Sequence, residues 1–284
     1  MANQQHLDLL SQGVDVWNQW RDERKEQEKQ ESFRIVRDVP LSKRYPHLVD
    51  LSGANLEKRD LRGINLHGAN LQGARFVHAD LREAHLIRAD VREADLSHAS
   101  LRGALLNQAN LERADVSDAN LEKANFANAN LWKANLRKAN GVRASFFHAF
   151  LAEADLWRAY LPHADFTQAN LYGASLHQAS VWHTIFGDVD LSEVQGLETV
   201  RHLRPSLIDI RTLARSSGRI PDVFLRQAGI EEAIIPPLLA LFYPYHGREL
   251  WWASEESPVT PWLTTERPTQ APQPVDEEEL NFDI

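Results

Sequence analysis

From Leu51 to Leu191 a large apolar side chain recurs at every fifth residue: 28 of the 29 positions hold Leu, Phe or Val, and Gly141 alone departs. Two residues ahead of it runs a second column, which from Ala69 to Ala179 is alanine 23 times without a break. The unit reads Ala-(Asp/Asn)-Leu-X-X, as in Ala94-Asp95-Leu96, Ala109-Asn110-Leu111 and Ala169-Asn170-Leu171. Neither the 3.6-residue helical period nor the two-residue strand period generates a spacing of five. Self-similarity at a fixed short period marks a solenoid, in which each unit buries its apolar face only against its neighbours. One small and one large apolar residue per unit form a stripe that burial inside a narrow tube explains, the alanine leaving room for its neighbour.

The repeat resembles the pentapeptide-repeat family over roughly residues 47–194. The resemblance implies an all-β solenoid, a right-handed quadrilateral β-helix in which four units make one square coil and twenty residues separate stacked positions. The 145 residues from Asp50 to Val194 would then form about seven coils. At about 4.8 Å between stacked strands, the coils span roughly 35 Å. The same offset places Phe126, Phe146, Phe166 and Phe186 on one inner face as a ladder, which Leu66, Leu86 and Leu106 continue in the earlier coils.

Four segments are expected. Residues 1–46 form an N-terminal helix and cap: Leu7, Leu10, Val14 and Trp17 share a face of one helix from Gln4 to about Glu31, and Phe33, Ile35, Val36, Val39 and Leu41 cover the first coil. The stretch from His6 to Arg21 also resembles the leader that precedes the repeats in bacterial family members. Residues 47–194 are the β-helix. Residues 195–253 form short helices, with Gly218 and Gly229 as stops and Pro221 opening a turn. Here Pro205-Ser206, Thr212-Leu213, Arg215-Ser216, Ile220-Pro221 and the run Phe224 to Gly229 resemble the connector that joins a pentapeptide β-helix to a Toll/interleukin-receptor domain. Phe224, Leu238, Leu239 and Phe242 bring apolar surface that closes the last coil, pairs with a second copy, or does both. Residues 254–284 are Pro-rich and acidic, a composition that does not pack, and Leu280 and Phe282 within it form a candidate docking motif.

Charge and chemistry narrow the function. The net charge of −9 is concentrated in residues 255–284, which carry −7. The two wall positions after each large apolar residue hold nine acids against thirteen bases, so the walls lean basic. The Asp and Asn just before that residue are expected to bond nearby backbone at the corners. Cysteine is absent, which removes disulfides and thiolate sites. Without an apolar leader at Met1–Leu10 or an apolar run long enough to span a bilayer, a cytoplasmic location with no membrane is expected. His78 and His98 should stack, as should His163 and His183, yet their columns lack a third or fourth ligand for zinc. No nucleophile elbow or phosphate loop appears. No enzyme activity, cofactor or metal is therefore expected.

The candidate partner-binding residues are the column Arg62, Arg82 and Arg102, with Glu83 as its neutralising neighbour, and the outward aromatics Trp132, Phe147, Trp157, Tyr172 and Trp182. Together with the connector resemblance they point to a non-catalytic protein-binding scaffold or adaptor in bacterial signalling or defence, its partner another protein and its own oligomer a homodimer through 195–253. The resemblance also raises a DNA-mimicking protector of DNA gyrase, which works through acidic walls that this sequence lacks. Nucleic-acid binding through the arginine column is the third reading, weakened by the few bases gathered on one face.

Overall fold

The computed structural model describes residues 2–32 and 49–242; residues 33–48 and the tail, including Leu280 and Phe282, lie outside the described residues. The repeat is a right-handed quadrilateral β-helix. Parallel bridges join residues twenty apart, beginning Asp50 to Asn70 and reaching Ser175 to Gln195. Four such columns define four faces. Face A carries Asp50, Asn70 and onward to Asn170; face B starts at Asn55, face C at Asp60 and face D at Asn65. In chain order A and C are opposite.

The unit that starts the repeat accounts for all five of its N–H groups. Asn70 donates to the Val49 carbonyl at 2.7 Å and Leu51 to the Asn70 carbonyl at 2.8 Å, the two bonds of one bridge. Gly53 donates to Gln72 of the next coil at 2.8 Å, and Ala54 closes a turn on the Leu51 carbonyl at 3.0 Å. Only the first turn residue, Ser52, has no backbone acceptor, and it bonds Asp50 Oδ1 at 3.0 Å. Where the residue before the large apolar one is Asp or Asn, it is thus the acceptor for the fifth donor, as expected. The bond recurs from Glu112 N–H to Asn110, Glu122 N–H to Asn120 and Trp157 N–H to Asp155.

Counted from the large apolar residue, the turns have positive φ at their third residue and not their second, the type II pattern. Glycine takes that position at Gly53 (φ +67), but Lys138 (φ 56), Arg143 (φ 57) and Arg158 (φ 55) adopt it too. A side chain there costs about 1 kcal/mol or more. The bond from its N–H to the coil above holds it in place, as from Lys138 to Trp157 O at 2.8 Å.

Both apolar columns point inward, and the alanines from Ala69 to Ala179 are buried. The phenylalanine ladder forms where the offset places it: Phe126, Phe146, Phe166 and Phe186 stack at centroid distances of 5.2, 4.9 and 5.6 Å. Gly141 is the gap in the large column, and Leu161 of the next coil fills it; a Cβ at 141 would lie 2.9 Å from Leu161 Cδ2.

Two corrections arise in the flanks. The expected single N-terminal helix is two, α1 (Gln4–Leu10) and α2 (Val14–Ser32). Gly13 at φ +112 breaks them apart, a conformation closed to most residues. The break lets both helices reach the first coil's edge. Asn3 N–H donates to Asp50 O at 2.9 Å, Asp50 N–H to His6 Nδ1 at 3.1 Å, and the buried Trp17 ring N–H to Asn65 O at 2.9 Å. Asn18 takes both roles, donating to Gly63 O and accepting from Asn65 N–H.

The second correction concerns 195–253, expected to be helical throughout. It opens with another lap of parallel pairing: β1 (Ser180–Val181) and β2 (Ile185–Phe186) pair with β3 (Arg201–His202) and β4 (Leu207–Ile208). Ser180 faces Arg201 and Ile185 faces Leu207, offsets of 21 and 22, so the five-residue signature is lost while the wall continues. Helices α3 (Ile210–Arg215), α4 (Asp222–Gln227) and α5 (Ile235–Ala240) follow, with Gly218 and Gly229 at positive φ after α3 and α4. Thr212 and Ser216 are buried hydroxyls that accept from Val189 and Leu191 N–H at 3.2 and 3.0 Å. Phe224 ends the ladder edge-on to Phe186 at 5.7 Å.

Candidate functional site

The five outward aromatics do not form one patch. Trp132 and Tyr172 share an edge of face A with Ala152 between them, and Phe147 sits on the other edge of that face. Trp157 and Trp182 instead border face C. Phe147, Phe150 and Tyr172 are exposed by 37%, 42% and 63%. Phe150 stands in the bridge column of face A, between Asn130 and Asn170. The periodic reading missed it because that column was read as polar; the signal was the absence of a short polar residue there. Tyr160 does the same on face C and is 39% exposed.

The tryptophans are half-buried and covered by cations. Trp132 has Lys133 Nζ 4.5 Å from its centroid and Arg113 at 5.5 Å, and its ring N–H donates to Glu153 at 3.3 Å. Trp157 lies between Arg158 at 4.2 Å and Arg137 at 4.6 Å. Trp182 meets Arg204, from the segment after 195, at 5.3 Å.

The arginine column exists, but its carboxylates are not the expected Glu83. Arg62 chelates Asp60, with Nε at 2.8 Å and Nη2 at 2.6 Å, and its Nε lies 3.7 Å from Asp80. Arg82 grips Asp80 in the same way at 2.6 Å, while Arg102 pairs with Glu122 at 3.6 Å. Hydrogen bonding from the Arg62 side chain holds the Asp60 carboxyl down at about 2, and Arg82 lowers Asp80 likewise. The bridge column of face C supplies these aspartates, so an Asp-x-Arg spacing places each pair within one coil. A cleft of about 750 Å³ runs from this column to Gly13, Val14 and Asp15.

His78 and His98 stack at 4.9 Å, and His163 meets His183 edge-on at 5.1 Å. Among the described residues no cluster of three or more His, Asp or Glu could hold a metal ion. No described helix is long and apolar enough to cross a membrane. Phe224 is buried, whereas Leu238, Leu239 and Phe242 are half-buried against the core. Leu241, 75% exposed, is the open side chain of α5's end.

The profile of the pentapeptide repeats matches residues 50–86, 84–122, 119–157, 142–178 and 151–192. Among solved structures, HetL, a pentapeptide repeat protein involved in heterocyst differentiation regulation in the cyanobacterium Nostoc sp. strain PCC 7120, is 32% identical. The match covers 51% of this chain and 77% of HetL, with a TM-score of 0.22. QnrB1, a plasmid-mediated fluoroquinolone resistance protein, is 17% identical over 64% of this chain and 97% of its own, with a TM-score of 0.35. A pentapeptide repeat protein of the Arabidopsis thaliana thylakoid lumen is 34% identical over 31% of this chain and 65% of its own, with a TM-score of 0.22. No functionally curated protein matches the sequence.

Proposed function

This chain belongs to the pentapeptide-repeat family, and we propose that within it the protein is a non-catalytic scaffold that binds another protein through its walls. The observation that carries this reading is face A. Phe150 replaces the short polar acceptor of the wall and is 42% exposed, so an aromatic stands in water where the fold itself calls for Asn or Asp. With Trp132, Phe147 and Tyr172 around it, the face offers the residue types that dominate binding energy at interfaces. The arginine column adds a polar edge elsewhere, although its aspartates neutralise much of it.

We read residues 1–46 and 195–253 as caps of a β-helix of about seven coils, and 254–284 as a tail. A solenoid's end coils expose unpaired backbone that templates aggregation unless covered, and the bonds from Asn3, Trp17, Thr212 and Ser216 supply such cover. The cap after residue 195 also carries the proposed homodimer contact. A role as adaptor in bacterial signalling or defence, in the cytoplasm, is the setting that suits this reading.

Affinity capture from the source cells tests it, comparing the wild type with a Phe150→Asn, Tyr172→Ala double variant. A partner held by the wild type and lost by the folded variant supports the scaffold; identical recoveries would remove face A from consideration. The gyrase-protector reading ranks second, since the walls carry nine acids against thirteen bases. The purified protein is expected neither to inhibit supercoiling at low micromolar concentration nor to rescue gyrase from quinolones, and clear rescue would reverse the ranking.

A further inference from the structure

Face C changes character along the solenoid. In its early coils the arginines are chelated by Asp60 and Asp80. Over the three later stretches 137–143, 157–163 and 177–183 there is no carboxylate at all. Arg137, Lys138, Arg143 and Arg158 are exposed there, with His163 and His183 beside them. Arg137 reaches Asp155 of face B at 3.3 Å, and Arg158 bonds the neutral Gln178 at 2.7 Å. Lys138 and Arg143 have no ion pair among the described residues.

We propose that this half of face C is a docking surface for an acidic segment of a partner protein, one presenting closely spaced Asp or Glu side chains. The inference rests on the scaffold reading and names the chemistry of one partner. Charge complementarity carries it: Lys138 and Arg158 on one edge and Arg143 on the other flank Tyr160 on a surface free of competing acids. Unpaired like charges on neighbouring coils repel and gain the fold nothing, so an anionic partner is what would relieve them.

Tyr160 is the second argument. Elsewhere in this column Asn140 accepts the N–H of Val142 at 3.3 Å. Tyrosine cannot do so, and residue 162 is proline, which has no N–H to satisfy. The sequence therefore places an exposed aromatic here without leaving an orphan donor. The Trp157 ring, held between Arg137 and Arg158, orients both guanidinium groups before a partner arrives, which lowers the ordering cost of binding. The same contacts disfavour single-stranded nucleic acid. Base stacking needs open aromatic faces; cations already sit over Trp157 and Trp182, which of the three rings leaves only Tyr160 open.

The test is fluorescence anisotropy of the full chain with two probes, a labelled twelve-residue Glu-rich peptide containing two leucines and a labelled twenty-nucleotide poly-dT. The expected result is salt-sensitive peptide binding that falls at least about tenfold in the Lys138→Glu, Arg143→Glu double variant and severalfold in Tyr160→Asn. An Arg88→Glu, Arg113→Glu variant makes the same net charge change off this face and should bind as the wild type does. Both turn positions keep a Cβ, so their backbone strain is unchanged; circular dichroism checks folding, and Lys138→Gln, Arg143→Gln serves if the reversal does not fold. Absent peptide binding, equal loss in the control variant, or tighter binding of poly-dT would each overturn the proposal. Loss of peptide binding alongside an intact face A capture result would leave the scaffold reading standing, so the two failures are distinguishable.

Discussion

Replacing Phe146 with alanine should destabilise the solenoid more than any other single truncation within the ladder. Phe146 is fully buried, and its ring lies parallel to Phe126 at 5.2 Å and Phe166 at 4.9 Å. The change removes the transfer free energy of the ring and leaves a cavity, together about 3–5 kcal/mol for Phe→Ala. Two aromatic contacts vanish as well, each worth about 0.5–1.5 kcal/mol beyond area. The walls cannot collapse to fill the hole. Phe146 N–H bonds Asp165 O at 2.7 Å and Phe126 N–H bonds Ser145 O at 2.7 Å, so both neighbouring coils are fixed at their spacing. The cost therefore belongs at the upper end, about 4–5 kcal/mol, or a fall in melting temperature of about 8–20 °C at about 2–4 °C per kcal/mol. Phe146→Leu is the discriminating control, because leucine fills the same inner position at Leu66, Leu86 and Leu106, all buried. It should cost less than half as much. Thermal and urea melts by circular dichroism measure both variants. Equal effects of Ala and Leu, or a loss under about 1 kcal/mol for Ala, would refute the argument that backbone bonding holds the coil spacing rigid.

Asn120→Ala strips the acceptor from Glu122 N–H, 3.0 Å away, and should cost about 1 kcal/mol in a urea melt, whereas Asn120→Asp should cost little; no difference between them would deny the wall column its acceptor role. Burial pushes the His202 imidazole down to about 4, both ring nitrogens lack partners, and its ring meets Phe224 edge-on at 4.7 Å. The unfolded chain takes up that proton near its ordinary value of 6.5 and the folded chain does not, so this stabilisation is complete above that pH and is lost as pH falls to about 4. The loss should be about 1–2 kcal/mol, allowing for the residue's partial exposure, and urea midpoints from pH 7 to 4 should fall more steeply for the wild type than for His202→Leu. The cap should pair with a second copy, giving a dimer by light scattering at tens of micromolar. Leu241→Asp should yield folded monomers, while Leu238→Asp and Phe242→Asp should also lower stability, since both residues are half-buried; a monomeric wild type would end the dimer proposal.

The tube was legible in the sequence because a five-residue period has one economical burial, and the twenty-residue offset then placed the ladder from Phe126 to Phe186 and both histidine stacks without further information. What resisted sequence reading lies where neighbours are set by three dimensions. Gly13 looked like one residue within a helical pattern, and only the need to reach both Asp50 and Asn65 makes a break there useful. Arg201–His202 and Leu207–Ile208 continue the wall with offsets of 21 and 22, which erases the periodic signal while keeping the pairing. Glu83 stands beside Arg62 and Arg82 along the wall, but their carboxylates come from the bridge column, where Asp60 and Asp80 sit two residues ahead.

Nine acids against thirteen bases is a sum over four faces, and the faces differ. Sorted by face, the bases at Lys138, Arg143 and Arg158 fall together on a surface without acids, while Glu153, Asp188 and Glu193 fall on the edges of face A. The exceptions to the fold's own rule divide in the same way. Phe150 and Tyr160 both occupy bridge positions where a short acceptor serves the backbone, yet one stands among aromatics and the other among cations. A solenoid buries one small and one large apolar residue per unit on every side and so leaves its four walls independent of one another, and that independence is what allows one short chain to carry exposed aromatics on one wall and unpaired cations on the opposite one.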